Sequence, residues 1–332
     1  MTGEAGISPS REARGSSVHS ERTTSGGCAH GTSDAAVLEV RLQVPAYVEY
    51  EKAASVEHAL ALLARFAPGA RILAGGHSLI PMMKLRLARP ELLIDINGIQ
   101  SLSYLKRVRD ELCIGTLTRH AELLAAPEAG EQFAILHDAE RVIADPIVRN
   151  WGTVGGSLCQ ADPSEDLSAA FAALKGTMVI QGPDGRREVP AREFHTGPYE
   201  TVVGADEMLT EIRLPVRPGT GSTYVKVARR AGDWPVGAAG AVVWLRDGMI
   251  DDVGIGLTAV GARNFVAAEA EEYLRGRPAT ERVLARAGEI AAEHCNPATD
   301  QRGPAHYKRH LVRELTIRAL RVAVSRASGP AE

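Results

Sequence analysis

The chain has 332 residues, of which 45% are hydrophobic and 24% are charged, and its net charge at pH 7 is −3. This length is sufficient for two or three small domains, each with its own hydrophobic core. The slightly acidic balance gives no reason to expect nucleic-acid binding, because a basic surface is the usual footprint of such proteins. Apolar runs are shorter than the roughly 18 residues of a membrane-spanning helix, so no transmembrane segment is predicted.

The cysteines are far apart in the sequence and form no CxxC pair: Cys28, Cys113, Cys159 and Cys295. Without such a pair the sequence predicts neither a zinc site nor an iron–sulfur site, and reduced thiols are favoured over a disulfide framework. The ten histidines are also scattered. No Ser–His–Asp order and no metal-spaced histidine cluster is evident, so no catalytic or metal-binding residue is predicted.

Residues 1–40 are rich in Ser, Gly, Thr and Arg and contain few large apolar side chains. A segment of this composition cannot bury enough surface to fold. It also lacks the apolar core of a signal peptide. We therefore expect a disordered N-terminal extension.

Residues 41–98 have the pattern of a small parallel α/β unit. Ser55 is expected to cap a helix whose apolar residues share one face. The predicted elements are an extended segment over 45–50, the helix after Ser55, and strands over 71–74 and 92–96.

A glycine pair follows the strand over 71–74, and after it come a hydroxyl side chain and an apolar run with Pro81 in its first helical turn. Glycine lets the backbone approach a ligand closely, and successive N–H groups favour an anion. We interpret residues 74–79, here called the first wall, as a phosphate-holding turn. The spacing matches neither GxGxxG nor GxxxxGK[ST], and a plain strand–turn–helix corner is the alternative.

A second glycine pair beside a hydroxyl occurs in residues 153–157, here called the second wall. We expect another turn that leads into a helix. Asp162 is predicted to be the N-cap of the following helix, with Pro163 at N1 and Glu165 at N3. A capping role for Asp162 is favoured over that of a catalytic acid. Two such turns could hold the two ends of one dinucleotide.

The rest of the chain alternates between helical and strand patterns. Residues 99–217 are predicted to contain strands over 111–115, 177–181 and 208–214, a short helix after Thr118 and a longer helix over about 131–144. A linker is expected over 215–221, followed by a small antiparallel sheet and helices over about 266–275, 280–294 and 305–325. The last helix has an apolar stripe, for which core packing is favoured over a partner-binding face: Leu311, Leu315, Ala319 and Val322.

Two stretches, AGGHSLIPMMKLR with LLIDIN after it and RNWGTVGGSLCQADPSED, resemble the flavin-binding signatures of one family. It is the FAD-binding medium subunit of molybdenum hydroxylases, of the carbon monoxide dehydrogenase and xanthine dehydrogenase type. The resemblance runs from about Leu42 to about Arg326. It implies an α+β chain with a vanillyl-alcohol-oxidase-type (PCMH) FAD-binding fold, in which two α/β subdomains hold FAD between them. The implied parts are the extension 1–40, FAD-binding subdomains 41–98 and 99–217, and a C-terminal domain 218–328 of antiparallel sheet and helical bundle.

By motif position, the resemblance implies that both walls contact FAD and that Asp166 meets its nucleotide end, where a carboxylate can accept from ribose hydroxyls. The first wall would lie at the pyrophosphate: Ala74, Gly75, Gly76, His77, Ser78 and Leu79. The second wall would face it: Thr153, Val154, Gly155, Gly156 and Ser157. Some relatives attach FAD covalently through a histidine, but at the position of His77 this subfamily has a non-covalent flavin, which we expect here. Departures from the family at Trp151, Gln160 and Leu167-Ser168 concern the fine placement of the adenine end.

Lys226, Arg229 and Arg230 precede Gly232-Asp233-Trp234, which resembles the basic–Gly-Asp-aromatic segment of the family. One hypothesis adds Lys226 and Trp234 to the cofactor site. Trp234 would pack near the isoalloxazine, and a cation would stabilise reduced, anionic flavin. The alternative is an ordinary charged strand edge beside a core tryptophan.

The resemblance implies an electron-transfer function for this chain. A molybdopterin-binding large subunit oxidises the substrate, a small subunit carries two iron–sulfur clusters, and FAD passes the electrons to an external acceptor. The expected location is the cytoplasm, or the inner face of the membrane through these partners. A self-contained FAD-dependent oxidase of the same fold and a flavin-free scaffold subunit are the alternatives.

Overall fold

Residues 44–329 are described in the computed structural model of the chain, so the predicted N-terminal extension and Cys28 lie outside the described residues. The first part of the structure is a parallel sheet with β3 in the centre, in the order β1-β3-β2. Ser55 caps the helix that precedes β2, because its Oγ accepts from the backbone N–H of His58 at 3.2 Å. The predicted parallel α/β unit is confirmed. Its elements are β1 (Glu49–Lys52), α1 (Val56–Phe66), β2 (Ala70–Leu73), α2 (Leu79–Lys84) and β3 (Leu92–Asp95).

An antiparallel sheet forms the second part, in the order β4-β5-β10-β6-β7. Its strands are β4 (Leu105–Val108), β5 (Glu111–Gly115), β6 (Thr177–Gly182), β7 (Gly185–Pro190) and β10 (Met208–Pro215), with the ribbon β8 (His195–Gly197) and β9 (Glu200–Thr201) beside them. Short helices fill the long connections: α3 (His120–Ala125), α4 (Pro127–Gln132), α5 (Ala134–Glu140), α6 (Pro146–Trp151), α7 (Val154–Gln160), α8 (Asp166–Ala173) and α9 (Ala191–Phe194).

Two helix predictions in this part are wrong. The single helix over 131–144 is divided into α4 and α5 and ends at Glu140. Phe133 lies between the two helices, outside the helical region at φ −135° and ψ 64°, and its side chain is buried. Burial of this aromatic ring outweighs the continuation of the helix.

Asp162 is not the cap that the sequence predicts. Its carboxylate accepts from the N–H of Ser164 at 2.8 Å, which closes a turn before the helix begins. Glu165 caps α8 instead, accepting from the N–H groups of Leu167 at 2.8 Å and Ser168 at 2.5 Å. The turn around Pro163 moves the helix start to Asp166.

The third part is an antiparallel sheet with β12 in the centre, covered by helices. Three residues of the predicted stripe on the last helix, Leu311, Leu315 and Ala319, are buried against the sheet, which confirms the core-packing interpretation for them. The fourth, Val322, is only half-buried. The elements are β11 (Thr220–Ala228), β12 (Pro235–Arg246), β13 (Met249–Thr258), α10 (Ala268–Leu274), α11 (Glu281–His294) and α12 (Ala305–Ala327). No helix among residues 44–329 is both long and apolar enough to cross a membrane.

Helix α8 lies directly against strand β13, backbone to backbone. A Cβ atom on Gly254 would fall 1.9 Å from the carbonyl oxygen of Ala173, and one on Gly256 would fall 2.1 Å from that of Ala169. The described residues belong to one compact unit, and this contact helps to join its second and third parts. The boundaries 98/99 and 217/218 stay predictions.

Replacing Gly254 by alanine is expected to destabilise the fold by at least about 2 kcal/mol, because neither backbone can yield without moving an element. Chemical denaturation measures the change. Gly130→Ala is the matched control, since a Cβ there meets nothing within 4 Å. Equal free energies of unfolding for both variants would contradict the close contact.

Candidate functional site

A cavity of about 1190 Å³ lies where the three parts of the chain meet. Its volume is above the range of about 300–1,000 Å³ found for most small-molecule pockets, so it suits a large ligand. Thirteen of the fourteen predicted site residues line it: Ala74, Gly75, Gly76, His77, Ser78, Leu79, Thr153, Gly155, Gly156, Ser157, Asp166, Lys226 and Trp234. Val154 does not, because its side chain is fully buried in the core behind the cavity.

The first wall makes a close backbone contact with the two residues that directly precede the second wall. A Cβ on Gly75 would fall 2.4 Å from the carbonyl oxygen of Trp151 and 2.8 Å from Cα of Gly152. Gly76 has φ +74°, in the left-handed region that favours glycine. Within residues 44–329, the N–H groups of residues 75–79 have no acceptor. The first wall therefore offers the cavity a row of unpaired donors, as a phosphate-holding turn requires.

Asn97 and Arg119 connect the first wall to Trp151, which precedes the second wall, and neither role is evident in the sequence. Asn97 Nδ2 donates to the carbonyl oxygen of Ala74 at 2.7 Å. Arg119 Nη2 donates to Asn97 Oδ1 at 2.8 Å, and its Nη1 donates to the carbonyl oxygen of Trp151. The width of the cavity between the walls is thereby set by hydrogen bonds as well as by packing.

The second wall is not the glycine turn that the sequence predicts, because its glycine pair lies inside α7, which Thr153 caps. The N–H groups of Val154 and Gly155 donate to backbone oxygens of Thr118 and Thr116, and those of Gly156 and Ser157 donate to Thr153. A Cβ on Gly155 would fall 2.5 Å from Cβ of Thr116, which is why glycine is needed. The second wall therefore offers the cavity side-chain hydroxyls rather than amides.

One buried hydroxyl at the cavity lacks a partner. Thr116 is 4% exposed and lines the cavity, and no hydrogen bond to its Oγ1 is formed within the described part of the chain. A buried polar atom of this kind is normally satisfied, so this hydroxyl is an exception to the usual pairing of buried polar groups. The unpaired amides of the first wall and the closely approaching glycines fit a phosphate-containing cofactor.

A Ser–His–Glu arrangement stands beside the second wall, although none was evident in the sequence. His120 Nδ1 lies 3.0 Å from Glu140 Oε1, and His120 Nε2 lies 2.9 Å from Ser157 Oγ. Burial opposes the charging of the imidazole, but the neighbouring Glu140 carboxylate outweighs it and raises the pKa of His120. Separations of 20 and 37 residues leave no local sequence pattern by which this group could be found.

Asp166 and Lys226 form a buried ion pair at the cavity. Lys226 Nζ lies 2.7 Å from Asp166 Oδ2, and the hydroxyl of Tyr224 donates to Asp166 Oδ1 at 2.7 Å. Burial, together with the Asp166 charge, raises the pKa of Tyr224 well above its usual value, so Tyr224 remains a donor. Because the two charged groups are in contact, Asp166 and Lys226 cannot mark opposite ends of a bound dinucleotide.

Trp234 lines the cavity and is 45% exposed, so the core-tryptophan alternative is wrong. Gly232 positions this loop: it has φ +73°, and a Cβ there would fall 2.7 Å from the carbonyl oxygen of Ala144. Arg229 and Arg230 face Asp233 and do not line the cavity. Of the three predicted cations only Lys226 reaches the site, and Asp166 neutralises it.

Glu165 is buried at the cavity as the cap of α8 and is a titratable group within the site. Burial raises its pKa from 4.5 to about 7, although hydrogen bonds from Ser168 and Leu167 favour the charged form. Between these two pKa values the folded chain holds a proton that the unfolded chain has lost.

The free energy of unfolding is therefore expected to fall by about 2 to 3 kcal/mol between pH 5 and 8, relative to a Glu165→Gln variant. The loss occurs as the pH rises from the unfolded pKa toward the folded one. Urea denaturation of both proteins across this range measures it. Parallel pH profiles would show that Glu165 stays ionised in the fold.

Comparison with known proteins agrees with this geometry. The family described as "FAD binding domain in molybdopterin dehydrogenase" matches residues 46–217, and the "CO dehydrogenase flavoprotein C-terminal domain" matches residues 222–323. The carbon monoxide dehydrogenase medium chain of Hydrogenophaga pseudoflava is 37% identical over 86% of this chain and 100% of its own length. The glyceraldehyde dehydrogenase medium chain of Sulfolobus acidocaldarius is 34% identical over 83% of this chain and 98% of its own.

Solved structures give the same result. Carbon monoxide dehydrogenase from Hydrogenophaga pseudoflava, in a form that lacks the Mo-pyranopterin moiety, matches with a TM-score of 0.82 and 39% identity, covering 85% of this chain and 99% of that chain. Quinoline 2-oxidoreductase from Pseudomonas putida 86 matches with a TM-score of 0.78 and 31% identity, over 86% and 99% of the two chains. The predicted α+β FAD-binding fold is thereby confirmed. The chain belongs to the family of FAD-binding medium subunits of molybdopterin-dependent oxidoreductases, of the carbon monoxide dehydrogenase type.

Proposed function

We propose that this chain is the electron-transfer subunit of a molybdenum hydroxylase, which takes electrons from the iron–sulfur clusters of a partner and passes them to an external acceptor. The observation that carries the proposal is the first wall, whose N–H groups at residues 75–79 are unpaired and whose residues line a cavity large enough for a dinucleotide. Bound FAD would supply the redox chemistry, since it exchanges electrons singly or in pairs. The chain itself would bind, orient and shield the cofactor.

Each wall has a separate task in this proposal. The amides of residues 75–79 would hold the pyrophosphate, while Ser157 would donate its hydroxyl proton from the opposite side. Asn97 and Arg119 would keep the walls at the correct separation. Trp234, exposed within the cavity, would cover the aromatic ring system. The Asp166–Lys226 pair would present polar atoms without adding net charge.

The partners in this proposal are a molybdopterin-binding large subunit and an iron–sulfur small subunit on other chains. Support comes from the relatives, which are medium chains of carbon monoxide dehydrogenase and glyceraldehyde dehydrogenase, and from the medium subunit of nicotine 6-hydroxylase, which is 33% identical over 84% of this chain. The names of these relatives differ in substrate while their medium chains remain similar. The substrate site would therefore lie outside this chain.

A Gly75→Ala variant is expected to bind FAD at least about 100-fold more weakly than the wild type, because the added methyl group would push the first wall away from Trp151. Flavin absorbance at about 375 and 450 nm in the purified chain reports binding. Gly130→Ala, which meets no neighbour, should retain the cofactor. Equal flavin content in both variants would show that the close approach at Gly75 is not needed for FAD binding.

A Trp234→Ala variant is expected to lose about 10-fold in FAD affinity, because stacking and burial of the ring are lost, whereas Trp234→Phe should lose much less. Flavin fluorescence titration measures both. Tyr307→Ala is the control, since Tyr307 is 41% exposed but does not line the cavity. Unchanged affinity and unchanged flavin reduction rate in Trp234→Ala would rule out the stacking role.

The function as a whole is tested by purifying the chain alone and with its native partners. Flavin in the chain alone that is released on denaturation supports non-covalent FAD, and iron and molybdenum in the co-purified material support the hydroxylase. Turnover of an alcohol or aldehyde by the isolated chain would instead indicate a self-contained oxidase. Colourless protein in both samples would indicate a scaffold subunit.

A further inference from the structure

We infer that the buried Glu140–His120 pair sets the direction of the Ser157 hydroxyl proton, so that Ser157 faces the cavity as a hydrogen-bond donor to an anionic oxygen of the cofactor. Glu140 and His120 are then positioning residues that act through Ser157. The inference rests on the proposed FAD site and adds residues that the motifs do not contain.

Hydrogen bonds connect the side chains of Glu140, His120 and Ser157. Glu140 is 0% exposed and His120 is 2% exposed, while Ser157 is half-buried and lines the cavity. Both carboxylate oxygens of Glu140 lie near His120 Nδ1, at 3.0 and 3.1 Å. His120 Nε2 lies 2.9 Å from Ser157 Oγ. A chain of hydrogen bonds therefore leads from the fully buried carboxylate to the cavity.

The charge of the buried Glu140 carboxylate determines the protonation state of His120. His120 is the only hydrogen-bonding partner of the Glu140 side chain within residues 44–329, and a fully buried carboxylate needs a compensating charge. Burial raises the pKa of Glu140, but the contact with His120 opposes that rise and favours the charged pair, whereas Arg149 opposes a cation at His120. An imidazolium satisfies this balance. Both of its nitrogens are donors, so Nε2–H donates to Ser157 Oγ, and the proton of Ser157 must point elsewhere.

The hydroxyl proton of Ser157 is directed toward the cavity. The N–H groups of residues 154–157 are already paired, so the hydroxyl is the donor that Ser157 can offer to the cavity. The same pairing argues against a hydrolase, since an oxyanion hole beside the serine would need free amides. The side-chain order is that of a triad, but the geometry supports binding rather than nucleophilic attack.

Glu140→Gln tests this reasoning without changing the size of the side chain. A neutral glutamine would still accept from Nδ1–H, but it would no longer stabilise an imidazolium. Nε2 of neutral His120 would then accept the Ser157 proton, and the cavity would lose its donor. Ser157→Ala removes the donor directly. The two substitutions should therefore have the same effect on the cofactor through different residues.

The experiment is a double-mutant cycle on FAD affinity, measured by fluorescence titration of the full chain. We expect Ser157→Ala and Glu140→Gln each to weaken binding by about 10- to 100-fold, the range for a hydrogen bond to a charged group. The double variant should be no weaker than either single variant by more than about twofold. Ser164→Ala, a half-buried serine that does not line the cavity, is the control and should bind normally.

Losses that multiply in the double variant would show that Glu140 acts independently of Ser157 and would overturn the inference. A second readout needs no cofactor and uses long-range ¹H–¹⁵N spectra of the histidine-labelled apoprotein at pH 7. Both ring nitrogens of His120 should be protonated in the wild type, and only one of them in the Glu140→Gln variant. An unprotonated Nε2 of His120 in the wild-type apoprotein would overturn the inference even if the wild type binds FAD. A wild type that binds no FAD would overturn the proposed function, and the histidine spectra alone would then decide the inference.

Discussion

The site depends on one backbone contact, between Gly75 in the first wall and Trp151-Gly152, the two residues that directly precede the second wall. With no side chain at residue 75, the two walls approach closely enough for both to face one ligand. The hydrogen bonds of Asn97 and Arg119 hold this contact from the side. The unpaired amides of residues 75–79 are useful only because the walls are held in this way, since a donor contributes to binding when its position is fixed before the ligand arrives.

The charges at the inner side of the cavity are balanced in pairs. Lys226 is paired with Asp166, and His120 with Glu140, each within about 3 Å. Such pairs cost desolvation energy and are weak evidence for stability. Their value here is geometric, because each charge fixes the orientation of a neighbour: Asp166 orients the hydroxyl of Tyr224, and His120 orients Ser157. An anionic ligand would then be bound largely by oriented neutral hydrogen-bond donors, and the site would need no excess of positive charge.

Sequence patterns correctly predicted the features that depend on interactions between residues close together in the chain. The parallel unit follows from short apolar strands and a helix capped by Ser55, and the glycine pair of the first wall follows a strand as expected. The predictions fail where the local structure is determined by contacts with residues that are distant in the sequence. Burial of Phe133 breaks a helix that periodicity would continue, and packing on Thr116 explains a glycine that looks like a turn residue. His120, Glu140 and Asn97 could not be identified because their partners lie 20 to 37 residues away.

The C-terminal sheet forms part of the site. Tyr224 and Lys226 on β11 both bond to Asp166 at the start of α8, while Gly254 on β13 lies against the last turn of the same helix. Helix α8 is thus held at both ends by one sheet, and its capping residue Glu165 and first residue Asp166 line the cavity. A ligand that bonds to this region therefore bonds to the second and third parts of the chain at once. Binding free energy would add to the stability of their junction, because a ligand that binds only the folded state stabilises every contact on which its site depends.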